Sequence, residues 1–145
     1  MNQPRRVLFV CIHNSGRSQM AEAFLNEMGG PEFVAESAGL EPRPVDADVV
    51  RVMAEIGHDL SGAQSDNILD FYREGRLYEF VIYVCERGVE AGCPVFPGVR
   101  RRLHWPFPDP ATFAGDARLD RLRETRDGIR RQVKEWLAEL RGEPG

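Results

Sequence analysis

Two six-residue runs of this 145-residue chain, 7–12 and 80–85, are built wholly from apolar, Tyr and Cys residues, and each carries a cysteine at or beside its end. Unbroken apolar runs of this length mark strands covered on both faces, and they fall far short of the roughly 18 residues of a membrane span. Elsewhere the apolar residues recur at helical spacing. Met20, Ala21, Phe24, Leu25 and Met28 predict a helix over 18–28 that stops at Gly29-Gly30-Pro31, and Val49, Val50, Val52, Met53 and Ile56 predict another over 47–56, stopped by Gly57. Leu119, Leu122, Ile129, Val133, Trp136, Leu137 and Leu140 line a long amphipathic helix from about Asp116. Further strands are expected over 33–37 and near 103–105, with a short helix around 68–72 and mostly loop over the Gly- and Pro-rich 86–109. Strands alternating with helices imply right-handed crossovers and a parallel sheet. The expected fold is a single α/β domain over 1–145 with a four-stranded parallel sheet flanked by helices.

Composition narrows the function classes. With 42% hydrophobic and 29% charged residues the chain is neither disordered, collagenous nor a coiled coil. Its net charge of −4 gives no footprint for nucleic acid, and the Arg100-Arg101-Arg102 run reads as a solvated segment. The apolar stretch after the basic first six residues is too short for a signal peptide, so the cytoplasm is the expected location. Three cysteines, an odd number, argue for a reducing compartment and against a disulfide framework.

The positions of those cysteines carry the chemistry. In Cys11-Ile12-His13-Asn14-Ser15-Gly16-Arg17-Ser18 a cysteine closes a strand and an arginine follows after five intervening residues, at the start of a helix. Such a loop can curl its backbone N–H groups into an anion nest, to which the helix N-terminus adds partial positive charge and Arg17 a planar fork. The same field favours the Cys11 thiolate, a nucleophile beneath a bound oxyanion. Ligands of parallel sheets bind beyond the carboxyl ends of the strands, where Cys85 also falls. Neighbouring strands about 4.8 Å apart would place the two cysteines within reach of a disulfide.

The run from Val7 through Cys11 and Asn14 to Arg17-Ser18-Gln19-Met20-Ala21-Glu22, with Glu36-Ser37-Ala38-Gly39, Ser65-Asp66, His104-Trp105 and Asp109-Pro110 downstream, resembles the low-molecular-weight tyrosine phosphatase superfamily. Gln19 to Glu22 are similar to its arsenate reductase branch, since the phosphatases usually place proline directly after Arg-Ser. The resemblance implies a Cys11 thiol-arsenate adduct, attack by Cys85 to release arsenite, and resolution of the resulting disulfide by Cys93. Reduction of As(V) to As(III) needs the two electrons that a thiol pair supplies on becoming a disulfide. It implies Asp109 as general acid, and a possible potassium site at Asn14, Glu22, Ser37 and Asp66, which could equally be a hydrogen-bonded brace. The reductant would be thioredoxin, or glutathione or mycothiol through a glutaredoxin-like protein. Phosphate and sulfate would compete as oxyanions, no nucleic acid or membrane partner is expected, and the chain would act as a monomer.

Two departures from the family pattern are visible. Gly16 stands where many relatives carry a second cysteine, and seven residues separate Cys85 from Cys93, one more than in thioredoxin-coupled members. Ala111 and Thr112 follow Asp-Pro where phosphatases commonly place an aromatic residue, although Phe113 is close by. A phosphatase acting on small phosphoesters, and a non-enzymatic oxyanion-binding or redox-sensing module, are the alternative readings. A zinc site from Cys85, Cys93 and His104 matches no common spacing.

Overall fold

The computed structural model describes residues 3–86 and 93–142. In chain order the elements are β1 (Arg5–Cys11), α1 (Arg17–Met28), β2 (Phe33–Gly39), α2 (Ala47–Ala54), α3 (Ile68–Arg73), β3 (Phe80–Tyr83), β4 (Arg101–His104) and α4 (Arg118–Gly142). The strands form one parallel sheet in the order β2-β1-β3-β4. Val7, Leu8, Phe9 and Val10 are wholly buried. Because successive strand side chains point to opposite faces, both faces of β1 are covered, as its unbroken apolar run requires. On one face Trp136 of α4 meets Phe33 of β2, Phe80 of β3 and Trp105, with ring centroids 6.0, 5.0 and 5.6 Å apart. Among the described residues no helix is long and apolar enough to cross a membrane.

Several element boundaries differ from the sequence expectation, each for a local reason. β3 ends at Tyr83 rather than at 85: Val84 N still donates to Val10 O at 3.0 Å, but the His104 ring donates to Cys85 O at 2.5 Å and draws the chain out of the ladder. α2 stops at Ala54, where Ile56 N and His58 N both close on Met53 O around Gly57, whose φ of +87° suits glycine. The last strand lies earlier than expected because Arg100 N and Arg101 N both donate to Glu79 O, at 2.8 and 3.3 Å, and set its register from there. The arginine run is thus an edge strand and its approach, not a plain solvated segment. Its exposed cations discourage addition of a further strand. Residues 115–117 form a separate 3-10 turn, so the last helix begins at Arg118.

The sheet order places the site. β1 lies between β2 and β3, so the connections leave it in opposite directions and a crevice opens beyond its carboxyl end. At that end Gly39 of β2 lies directly against the loop after β1: a Cβ there would sit 2.7 Å from Ile12 O and 2.9 Å from Asn14 N. Only a glycine admits this approach of backbone to backbone.

Candidate active site

The loop between β1 and α1 is turned inside out by its hydrogen bonds. Glu41 N donates to Ile12 O at 2.7 Å, Arg43 N to His13 O at 3.0 Å and Asp46 N to Ser15 O at 2.9 Å. Asn14 O accepts from Ser65 Oγ at 2.8 Å and Gln19 Nε2 at 3.1 Å, and Gly16 O from Met20 N at 3.0 Å. In a trans peptide the N–H points opposite to the carbonyl, so carbonyls engaged on the outside turn the N–H groups of residues 13–17 inward. This is the nest foreseen from the sequence, with its cause now visible in segments 41–46 and 64–66.

Asn14 is the pin of the loop. It alone among the described non-glycine residues has positive φ, at 53°, a conformation asparagine tolerates better than most. Its wholly buried side chain donates to Ser18 Oγ at 2.7 Å and Ser37 Oγ at 2.9 Å, while its Oδ1 accepts from Gln19 Nε2 at 3.2 Å and Asp66 N at 2.9 Å. His13 sits at the surface with its Nδ1 3.0 Å from Glu41 O.

Cys11 and Arg17 meet at the floor of a pocket of about 220 Å³, lined also by His13, Ser15 and Gly16, by Arg43, Pro44, Asp46 and Val49, and by Asp109, Pro110 and Ala111. Arg17 is 4% exposed and donates Nη1 to Phe107 O at 2.9 Å, which leaves its other nitrogens for the pocket. Its Nη2 lies 3.9 Å from Asp109 Oδ1. Asp109 caps the Pro110–Thr112 turn, accepting from Ala111 N at 3.0 Å, and its own N–H donates to Glu86 Oε1 at 3.0 Å. The general-acid candidate and the oxyanion fork therefore face one space. Phe113 lies elsewhere: it is buried beneath Arg121, whose guanidinium carbon is 4.2 Å from the ring centroid.

Cys85 lies one position beyond the residue opposite Cys11, since Val10 pairs with Tyr83. Both thiols are buried, and both are free. The Cys11 pKa is lowered from 9.0 to about 6, foremost by a hydrogen bond from the Cys85 thiol, against the cost of burial, then by Arg17 and by the Ile12 and His13 N–H groups. The Cys85 pKa is correspondingly raised, first by its bond to the Cys11 thiolate and then by burial. Cys85 Sγ also lies 3.7 Å from Val10 O, but a thiol has one hydrogen, and a thiolate is the stronger acceptor. At pH 7 a pKa of about 6 leaves about 90% of Cys11 ionised, against about 1% at 9.0. That preference amounts to about 4 kcal/mol. One charge-assisted hydrogen bond supplies about 1.5–3 kcal/mol, so the arginine and the loop N–H groups are needed as well.

Cys93 is partly buried with its thiol 3.4 Å from Pro94 O. The segment between Cys85 and Cys93 falls largely on 87–92, outside the described residues. Zinc finds no site: His104 is committed to Cys85 O, and no group of three His, Cys, Asp or Glu suited to a metal occurs among the described residues.

The potassium set is brought together in part. Ser37 Oγ donates to Glu22 Oε1 at 2.7 Å, and the Glu22 pKa is raised by burial, with Glu36 and Asp66 as negative neighbours. Hard oxygens with surplus negative charge fit a monovalent cation. Asn14 Oδ1 is already occupied by two N–H donors, so Asn14 belongs to the brace.

Sequence reasoning missed Asp46 and Glu86, and named His104 only within the family resemblance and the zinc alternative. Asp46 was readable as a helix cap before the apolar face of α2, and its side chain does accept from Asp48 N at 2.8 Å. His104 and Glu86 act only through tertiary contacts, which leave no local signal.

Cys85→Ala removes the first cause of the lowered Cys11 pKa, whereas Cys85→Ser keeps an O–H donor. Iodoacetamide alkylation of Cys11 should titrate with a midpoint near pH 6 in the parent, move clearly upward in Cys85→Ala and move less in Cys85→Ser. Equal midpoints in all three would remove Cys85 from the control of Cys11.

The model of the low molecular weight phosphotyrosine protein phosphatase family matches residues 6–144. An arsenate reductase of Halalkalibacterium halodurans is 35% identical over 88% of this chain and 91% of its own length. A solved structure of an arsenate reductase in the phosphate binding state superimposes with a TM-score of 0.77 at 32% identity, covering 93% of this chain and 98% of that one. A thioredoxin-dependent arsenate reductase of Corynebacterium glutamicum has a TM-score of 0.74 at 26% identity, covering 97% of this chain and 63% of that one. With the thiolate loop, the arginine fork and the sheet order in place, these likenesses agree: the chain belongs to the low molecular weight phosphotyrosine protein phosphatase family, among its arsenate reductases.

Proposed function

We propose that this chain reduces arsenate to arsenite through an intramolecular thiol relay. The observation that carries this reading is the placement of two buried thiols, Cys11 and Cys85, at the ends of neighbouring parallel strands, with Cys11 and Arg17 lining the anion pocket. A phosphatase needs one thiolate, and a second buried thiol in contact with it serves an electron-transfer step.

The loop N–H groups and Arg17 hold the tetrahedral oxyanion. Cys11 Sγ attacks arsenic, and the departing oxygen takes a proton from Asp109, forming an S–As bond with loss of water. Cys85 is held protonated first by the Cys11 thiolate and then by burial. Once Cys11 is esterified the first of these is gone, and Cys85 can release its proton and attack Cys11 Sγ. The new S–S bond forms as the electron pair of the S–As bond passes to arsenic, which leaves as As(III). Cys93 then attacks Cys85, freeing the Cys11 thiolate, and an external dithiol reduces the Cys85–Cys93 bridge. A thioredoxin-type reductant is favoured by the Corynebacterium relative. Phosphate and sulfate compete for the nest, and the chain acts as a monomer.

The pocket walls favour a bare oxyanion over an aryl phosphoester. Among the described residues no Phe, Tyr or Trp lines the pocket, and Pro110 and Ala111 line it beside Asp109. Cys85→Ser should abolish arsenate turnover with thioredoxin or with a glutaredoxin-coupled thiol, while retaining whatever aryl-phosphate hydrolysis the parent shows. A variant reducing arsenate at the parent rate would remove the relay.

Potassium is part of the same proposal, with Glu22, Ser37 and Asp66 as its ligands beside Asn14; when bound it supplies a fixed positive charge behind the loop. The melting temperature should be higher in KCl than in NaCl at equal ionic strength, and Glu22→Gln should abolish the difference. Equal melting temperatures for the parent would leave these residues as a brace alone.

A further inference from the structure

The Asp109 turn is held in place by a residue outside the pocket. Arg118, the first residue of α4, directs its whole guanidinium between two elements. Towards α2, Nε donates to Asp48 Oδ2 at 2.8 Å and Nη2 to Asp46 Oδ2 at 2.7 Å. Towards the acid turn, Nη1 donates to Pro110 O at 2.7 Å and Phe113 O at 3.1 Å. Asp46 in turn donates its N–H to Ser15 O, so an unbroken hydrogen-bonded path runs from the anion loop through Asp46 and Arg118 to the turn that Asp109 caps.

Packing agrees with this path. Pro110 lies over the anion loop where Gly16 has no side chain: a Cβ on Gly16 would be 3.7 Å from Pro110 Cγ and 3.4 Å from Val49 Cγ2. The turn is thus seated on the loop on one side and strapped to α2 on the other. The other anchors of Asp109 are weaker, namely the 3.9 Å approach of Arg17 and the bond of its N–H to an exposed Glu86.

We infer that Arg118 is a positioning residue for arsenate reduction, clamping the Pro110–Thr112 turn so that the Asp109 carboxyl faces the oxyanion held by Arg17. It is not among the pocket-lining residues, so it acts through Asp109 and not on the substrate. Its ion pairs are partly exposed, and pairs of that kind contribute little to stability, whereas two bonds to turn carbonyls fix the position of a loop. A lysine at this place keeps the charge but cannot reach carboxylates and carbonyls at once.

The inference rests on Asp109 as general acid, and a double-mutant cycle separates the two claims. Single-turnover arsenite release would be measured for the parent, Arg118→Met, Arg118→Lys, Asp109→Asn and Arg118→Met/Asp109→Asn, with the apparent arsenate affinity, pH profile and Cys11 alkylation rate of each. Arg118→Met should slow release by about ten-fold or more. Arsenate affinity and Cys11 alkylation should stay near the parent values, with partial recovery in Arg118→Lys. On the Asp109→Asn background the same change should cost nothing further. An equal loss on both backgrounds would make Arg118 merely structural, and a parent-like Arg118→Met in an Asp109-dependent enzyme would overturn the clamp. Parent-like Asp109→Asn would remove the acid reading and the clamp's purpose with it. If Arg118→Met fails to fold, Arg118→Lys and Arg118→Gln carry the same cycle.

Discussion

The site depends on the closeness of two buried thiols, Cys11 and Cys85, set where two parallel strands end side by side. It does two opposed things at once. It stabilises Cys11 as an anion and favours the protonated form of Cys85. In the proposed relay the order of the two sulfur steps follows from electrostatics: the charge that suppresses Cys85 is the charge that would be consumed when Cys11 binds arsenic. Parallel pairing makes this possible across 74 positions of sequence, because a ladder aligns strand ends whatever the length of the crossover between them.

The anion loop is built by a complementary constraint. A concave ring of N–H groups must present its carbonyls elsewhere, and here segment 41–46, Ser65, Gln19 and the first turn of α1 take them. Gly39 allows β2 to lie against that ring without a side chain between them. Asn14, with positive φ and a fully engaged side chain, sets the sense of the curl. In the proposed function an oxyanion would thus be held by many backbone groups, with Arg17 supplying the directional part.

What was legible in the sequence was what repeats or punctuates. The apolar runs at 7–12 and 80–85 gave the central strands, and the helical stripes gave α1, α2 and α4 to within a few residues. Cys11, Gly16, Arg17 and the following helix announced the nest before any coordinate. The misplacements occurred where a tertiary contact overrode local pattern: His104 pulls Cys85 out of β3, and Glu79 O starts β4 ahead of its apolar centre. Phe113 looked available as an aromatic wall because sequence proximity says nothing about Arg121 lying over it. The four-residue potassium set divides for a similar reason, since Asn14 Oδ1 is taken by donors from Gln19 and Asp66.

The central claim is that Cys85 supplies the electrons from a position already in contact with Cys11. A Cys93→Ser protein isolates that step, because the first disulfide can form and cannot be passed on. Reduced Cys93→Ser treated with excess arsenate, then acid-quenched and peptide-mapped by mass spectrometry, should release one arsenite per chain and contain a Cys11–Cys85 bridge. Arsenite release without that bridge, or no release until a small thiol is added, would contradict the account.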